Sequence, residues 1–306
     1  MRPEAAQRKA FAAKVGRDPD LYCCYPHPDF PTISITGDSC ALQCKHCSRH
    51  YLRRMAPCTT PEDLVKRCSD LASRGVRGLL LSGGYNSEGY VPFEPFLDAI
   101  ARVKRDTGLF ISAHTGIVPD RLAGELGRAG VDLADFDLIG DDETIRLVLG
   151  MDRTVEDYRR ALMALDKSLP YVVPHICVGL HAGKLRGEIR ALDIASEVKP
   201  QVLVLLALMP TAGTAFADAE SPSPADLGRV AAEARLRFPD SQIALGCMRP
   251  RGRRRAEMEL AALRSGVDRI EMPLERTIDE AVKLGLSVKR LNACCSVPIS
   301  WGDNLG

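Results

Sequence analysis

Short apolar runs alternate with amphipathic stretches along nearly the whole chain. The runs at 33–37, 78–84, 109–114, 133–140, 172–180, 201–210, 242–249 and 269–273 read as strands. Several are apolar without interruption, as in Leu203-Val204-Leu205-Leu206-Ala207-Leu208, the pattern of a strand buried on both faces. Between the runs, 61–75, 93–108, 155–168, 224–238, 254–266 and 277–284 carry apolar residues at helical spacing. Pro61 and Pro224 suit first helical turns, and Gly75, Gly108 and Gly266 suit helix ends.

Eight β-then-α units predict parallel strands joined by right-handed crossovers. The expected architecture is a single α/β domain, a (β/α)8 TIM-type barrel with its site at the C-terminal ends of the strands. The barrel is expected over residues 31–286. An N-terminal arm, 1–30, and a C-terminal tail, 287–306, read as irregular extensions that fold over the barrel mouth. Each extension carries a cysteine pair, Cys23-Cys24 and Cys294-Cys295.

Composition narrows the setting. The 306 residues are 45% hydrophobic and 26% charged, enough apolar content for a large core. A net charge of +1 argues against nucleic-acid binding. No run approaches the roughly twenty apolar residues of a membrane span, and the charged start lacks an apolar leader. Eleven cysteines without such a leader are expected to be reduced thiols in a cytoplasm.

Three of these cysteines carry the strongest chemistry. Cys40, Cys44 and Cys47 form a C-x3-C-x2-C triplet just after the first barrel strand. Three thiolates on one loop can hold three irons of a [4Fe–4S] cube and leave the fourth open to a ligand. A zinc site would normally need a fourth protein ligand, and the nearest further cysteine is Cys58.

The triplet in this position resembles the radical S-adenosylmethionine (SAM) enzymes. The resemblance implies a cluster whose free iron chelates SAM and donates the electron that yields a 5′-deoxyadenosyl radical. Ser82-Gly83-Gly84-Tyr85 resembles that family's Gly-Gly-Glu motif, which meets the SAM amino group, with Tyr85 in place of the acid. Asp137 resembles a ribose-binding position, and Arg153 a clamp on the SAM carboxylate. The strand ends at Gly179 and Met209 resemble walls of the adenine pocket.

The other cysteines suggest a second cluster. Cys247 ends the seventh strand run, and tails folded over the mouth would bring Cys24, Cys294 and Cys295 to it. A second [4Fe–4S] cluster needs about four ligands. Cys58, Cys68 and Cys177 read as packing thiols. His46, His114 and His175 lie near the expected mouth but read as hydrogen-bonded packing residues. The run Arg249, Arg251, Arg253, Arg254 and Arg255 opens a helix, where cations are disfavoured, so it is expected to meet an anion.

The whole pattern is similar to biotin-synthase homologues, and within them to one component of the two-protein lipoyl synthases. The resemblance implies a sulfurtransferase that inserts sulfur from the auxiliary cluster into an octanoyl chain on a carrier protein. It also implies a second radical SAM component and an electron donor such as ferredoxin or flavodoxin. Ser296 resembles a serine that ligates the auxiliary cluster in ordinary lipoyl synthases. The alternatives are sulfur insertion into another substrate, a radical methylase, a hydrogenase-cofactor maturase, or a non-catalytic iron–sulfur partner.

Overall fold

In a computed structural model, which describes residues 3–302, eleven parallel strands form one curled sheet. The strands are β1 (Asp20–Cys24), β2 (Thr32–Ser34), β3 (Ala56–Pro57), β4 (Gly78–Ser82), β5 (Phe110–His114) and β6 (Leu133–Asp137). They continue as β7 (Tyr171–Val178), β8 (Val202–Ala207), β9 (Gln242–Leu245), β10 (Arg269–Glu271) and β11 (Ser287–Leu291). Their order is β11-β1-β10-β9-β8-β7-β6-β5-β4-β2-β3. The eight expected strands are therefore neighbours in the expected sequence, as in a TIM-type barrel.

Three helices show how local sequence sets the helix ends. Thr60 accepts the backbone N–H of Asp63 and Pro61 opens the helix Pro61–Ser73. Ser223 and Asp226 form a reciprocal capping box around Pro224 at the start of Pro224–Arg237. Gly108 closes Leu97–Thr107 at φ 66°, a conformation that favours glycine. Among the described residues, no helix is long and apolar enough to cross a membrane.

The extensions are not irregular, which corrects the expectation. The arm forms the helix Pro3–Arg17 and then β1, which pairs with both β10 and β11. Buried Asp268 anchors that helix, accepting from Arg17 and from Arg235 at 2.7 Å, with Lys14 Nζ at 3.3 Å. The tail does more than cover the mouth. After β11 it runs down the concave face, where Ala293, Cys295 and Val297 pack with Leu133, Val173, Val202 and Ala244. Trp301 reaches the start of β5, its ring 4.7 Å from that of Phe110.

Strand alternation then sorts residues between two environments. On β6, Ala134 and Phe136 join the helix-facing core, whereas Asp135 and Asp137 line the concave cavity. Tail and inner side chains fill the lower part of that face, leaving the cavity at the C-terminal strand ends.

Candidate functional site

The cavity encloses about 410 Å³ and is lined by loops after β2, β4, β6, β7, β8 and β9, a size suited to a small ligand. Cys40, Cys44 and Cys47 all line it. Backbone bonds hold their loop: Ala41 N–H donates to Tyr85 O at 2.8 Å, and Lys45 N–H to Val148 O at 2.8 Å. Ser48 and Arg49 turn the chain away with φ of 43° and 64°. Burial, then the charge of neighbouring Cys47 and Cys40, pushes the Cys44 thiol up to about 12. A bound cation reverses that preference and favours thiolates.

Gly84 fits the loop tightly. A Cβ there would meet Ser39 O at 2.0 Å and Cys40 Cβ at 2.5 Å. Its N–H donates to Thr36 Oγ1 at 2.7 Å, and that of Tyr85 points at Cys40 Sγ from 3.2 Å. The close approach expected between glycine and a ligand is thus made first to the cysteine loop itself. Ser82, Gly83, Gly84 and Met209 all line the cavity.

Beside the loop, with Asp137 among the electrostatic neighbours of Cys44 and His46, lies a titratable network. His114 Nε2 stands 3.4 Å from Asp137 Oδ2, and both line the cavity. Burial opposes the charge on each, but their mutual attraction outweighs it. His114 is raised to about 9 and Asp137 lowered to about 2. One layer deeper, Asp135 is 3% exposed and accepts from Ser112 through Oδ2, while its Oδ1 has no hydrogen-bond partner. His175 Nδ1 donates to Val173 O at 3.0 Å, which leaves Nε2 facing Asp135 Oδ1 at 3.7 Å. The buried Nδ1 of His46, beside the triplet, is also unpaired.

These observations fit the group that the triplet implies. Three soft sulfur donors suit an iron–sulfur cube. The polar atoms of Asp135 and His46, lacking protein partners, border the space where a polar cofactor or substrate would lie.

Other candidates are placed differently. Arg153 is exposed, just before the capped helix Val155–Ser168, and does not line the cavity. Arg186 does line it and pairs with Asp141 at 2.9 Å; no sequence pattern singled it out. Gly179 packs under Pro222 with φ 73° and donates to Glu188 Oε1 at 2.7 Å, outside the lining. Cys177, expected as a packing thiol, faces the cavity, because β7 alternates it with core residue Ile176. Cys58 and Cys68 are buried, as expected.

Cys247, Cys294 and Cys295 share the cavity with the triplet. Cys24 is buried in the inner cluster and does not line it. Cys247 is exposed at the cavity, where desolvation and the nearby Glu271 and Cys294 push its thiol well up. Glu271, which the sequence did not single out, lies within this group. Much of the arginine run is satisfied internally: Arg249 pairs with Glu259 at 2.7 Å, Arg255 with Glu259 at 2.8 Å and Arg253 with Glu257 at 3.2 Å.

Residues 34–182 match the model of the radical SAM superfamily. The chain is 24% identical over 225 residues to a biotin synthase of Histophilus somni, covering 71% of this chain and 66% of that protein. It is 27% identical over 230 residues to the biotin synthase of Paramagnetospirillum magneticum, covering 71% and 68%. The chain thus spans about two thirds of the length of these relatives. Among solved structures, methylornithine synthase superposes with a TM-score of 0.62 at 17% identity, covering 94% and 89% of the two chains. The hydrogenase maturase HydG from Carboxydothermus hydrogenoformans superposes with a TM-score of 0.67 at 15% identity, covering 95% and 73%. At these identities the structures speak for the fold alone.

Proposed function

We propose, on the premise that residues 34–182 are a radical SAM domain, that the protein is a sulfur-inserting radical enzyme of the lipoyl synthase type. The observation that carries this reading is the shared cavity: Cys40, Cys44 and Cys47 line it, and so do Cys247, Cys294 and Cys295. Bound at the triplet, a [4Fe–4S] cluster supplies the electron that cleaves SAM into methionine and a 5′-deoxyadenosyl radical.

The chain's own residues orient and enclose. Backbone at Ser82-Gly83-Gly84 receives the SAM amino group, and the low-pKa Asp137 carboxylate accepts from ribose hydroxyls. Met209, Leu208 and Ile139 supply apolar wall. Cys247, Cys294 and Cys295 would hold a second cluster, which would supply the sulfur. Positioning of this kind is the protein's main contribution to cofactor chemistry. The acceptor is an octanoyl group on a carrier protein, with a second radical SAM component for the other sulfur and a ferredoxin or flavodoxin as reductant.

The test is an octanoyl-lysyl peptide incubated with reconstituted protein, SAM, reductant and the partner component. Mass gain from sulfur is expected; its absence refutes the octanoyl assignment. One observation favours a second reading. Asp135 Oδ1 is buried without a hydrogen-bond partner, 3.7 Å from His175 Nε2, which suits a substrate with a polar N–H rather than a bare alkyl chain. The relatives named biotin synthase point the same way. Sulfur transfer to a small N–H-bearing acceptor, but not to the octanoyl peptide, would establish that reading.

A further inference from the structure

The second group of metal-binding side chains includes one that is not a cysteine. On β10, Ile270 packs in the helix-facing core, so Arg269 and Glu271 turn to the concave face. A Glu271 carboxylate oxygen and the sulfurs of Cys294 and Cys295 lie within 4.8 Å of one another. Glu271 is 5% exposed and Cys295 2%, and all three residues line the cavity. Ser296 Oγ donates to Cys294 Sγ at 3.4 Å, bracing that thiol. Cys294 Sγ donates to Glu271 Oε2 at 3.9 Å, and a buried carboxylate beside two thiols suits a cation that would replace that proton.

Arg269 is an independent sign. It is 1% exposed and donates to Cys295 O at 2.9 Å, Val297 O at 2.5 Å and Gln242 Oε1 at 2.7 Å. Among the described residues no carboxylate hydrogen-bonds to it. Its electrostatic neighbours are Cys24, Cys295, Asp268 and Cys294. Asp268 is already shared among Lys14, Arg17 and Arg235, so thiolates in a metal centre would add the negative charge that a buried guanidinium favours.

We propose that Glu271, with Cys294 and Cys295, ligates the second iron–sulfur cluster, that Cys247 is its fourth ligand, and that Arg269 is its buried counter-charge. This rests on the sulfur-insertion reading above and adds the identity of the ligands. Cys24, sealed beneath the cavity, is not a ligand. A carboxylate is a harder donor than a thiolate, so the iron bound to Glu271 is chemically distinct from its neighbours.

The test starts from the Cys40→Ala, Cys44→Ala, Cys47→Ala protein, which can hold only the second cluster. Anaerobic reconstitution should give about four irons and four sulfides per chain. Adding Glu271→Ala should remove most of them. Adding Glu271→Cys should retain them but abolish the distinct iron in the Mössbauer spectrum, and adding Cys24→Ala should change neither. With the triplet intact, Glu271→Ala should keep the first cluster's four or so irons, which shows that it folds. If the Glu271→Ala protein keeps the second cluster with an unchanged spectrum, the Glu271 assignment falls while the second cluster stands. If the triplet variant binds no iron and sulfide at all, the second cluster and the sulfur-insertion reading fall together.

Discussion

The backbone N–H of Tyr85 points at Cys40 Sγ across 3.2 Å, so the end of β4 and the cysteine loop form one unit. Gly84 makes that approach possible, since a Cβ there would stand 2.0 Å from Ser39 O. Gly84→Ala is expected to displace the loop. Overpacking of this kind costs roughly 1–3 kcal/mol. Iron content after anaerobic reconstitution should fall by most of the first cluster, with a lower melting temperature. Full iron retention would show that the loop has room to move.

The His114–Asp137 pair gives a pH signature. His114 is raised to about 9, so its contribution to stability is complete below about 6.5 and fades as pH rises through the raised value. Asp137 is lowered to about 2, so its contribution is present above about 4 and is lost as pH falls towards 2. Asp137 is 41% accessible through the cavity, so solvent weakens the effect. The melting temperature of the wild type should exceed that of Asp137→Asn most between about pH 4 and 6.5, and the gap should shrink by pH 9. SAM affinity of Asp137→Asn, measured by calorimetry, should drop roughly tenfold or more, as for a lost charged hydrogen bond.

Asp135 trades stability for function. Its Oδ1 has no hydrogen-bond partner and lies 3.7 Å from Nε2 of His175. Asp135→Asn keeps an acceptor for Ser112 and places an amide donor towards His175. Urea denaturation should show a gain of about 1 kcal/mol, while substrate turnover falls. A destabilised but fully active variant would contradict this role.

The tail works as a plug. Trp301 packs against Phe110 and Phe30, with ring centroids 4.7 Å and 6.3 Å apart. Trp301→Ala should cost about 3 kcal/mol, at the lower end for aromatic truncation because the ring is half-buried. The urea midpoint measures this directly, and an unchanged midpoint would mean that the inner face is closed without it.

The barrel strands were legible because buried parallel strands leave uninterrupted apolar runs. The arm was not, because β1, Asp20-Leu21-Tyr22-Cys23-Cys24, is no uninterrupted apolar run, and its helix docks through Arg17 and Asp268, 251 positions apart. No local pattern encodes such a contact. The triplet and its glycines were legible because ligand spacing is local. Glu271 was hidden because its cysteine partners come from the tail. Cys177 was hidden because an apolar run masks which residues alternate towards the cavity. Arg153 matches a motif by resemblance alone; it lies on an exposed loop outside the cavity lining, whereas Arg186 lines the cavity without any motif to mark it.

The most direct test of the account is SAM cleavage by reduced, anaerobically reconstituted protein, followed by chromatography of the products. The account predicts 5′-deoxyadenosine and methionine in equal amounts, and neither from the Cys40→Ala, Cys44→Ala, Cys47→Ala protein. Wild-type protein that binds iron but forms no 5′-deoxyadenosine, or a triplet variant that forms it undiminished, would contradict the claim that these three cysteines start the reaction.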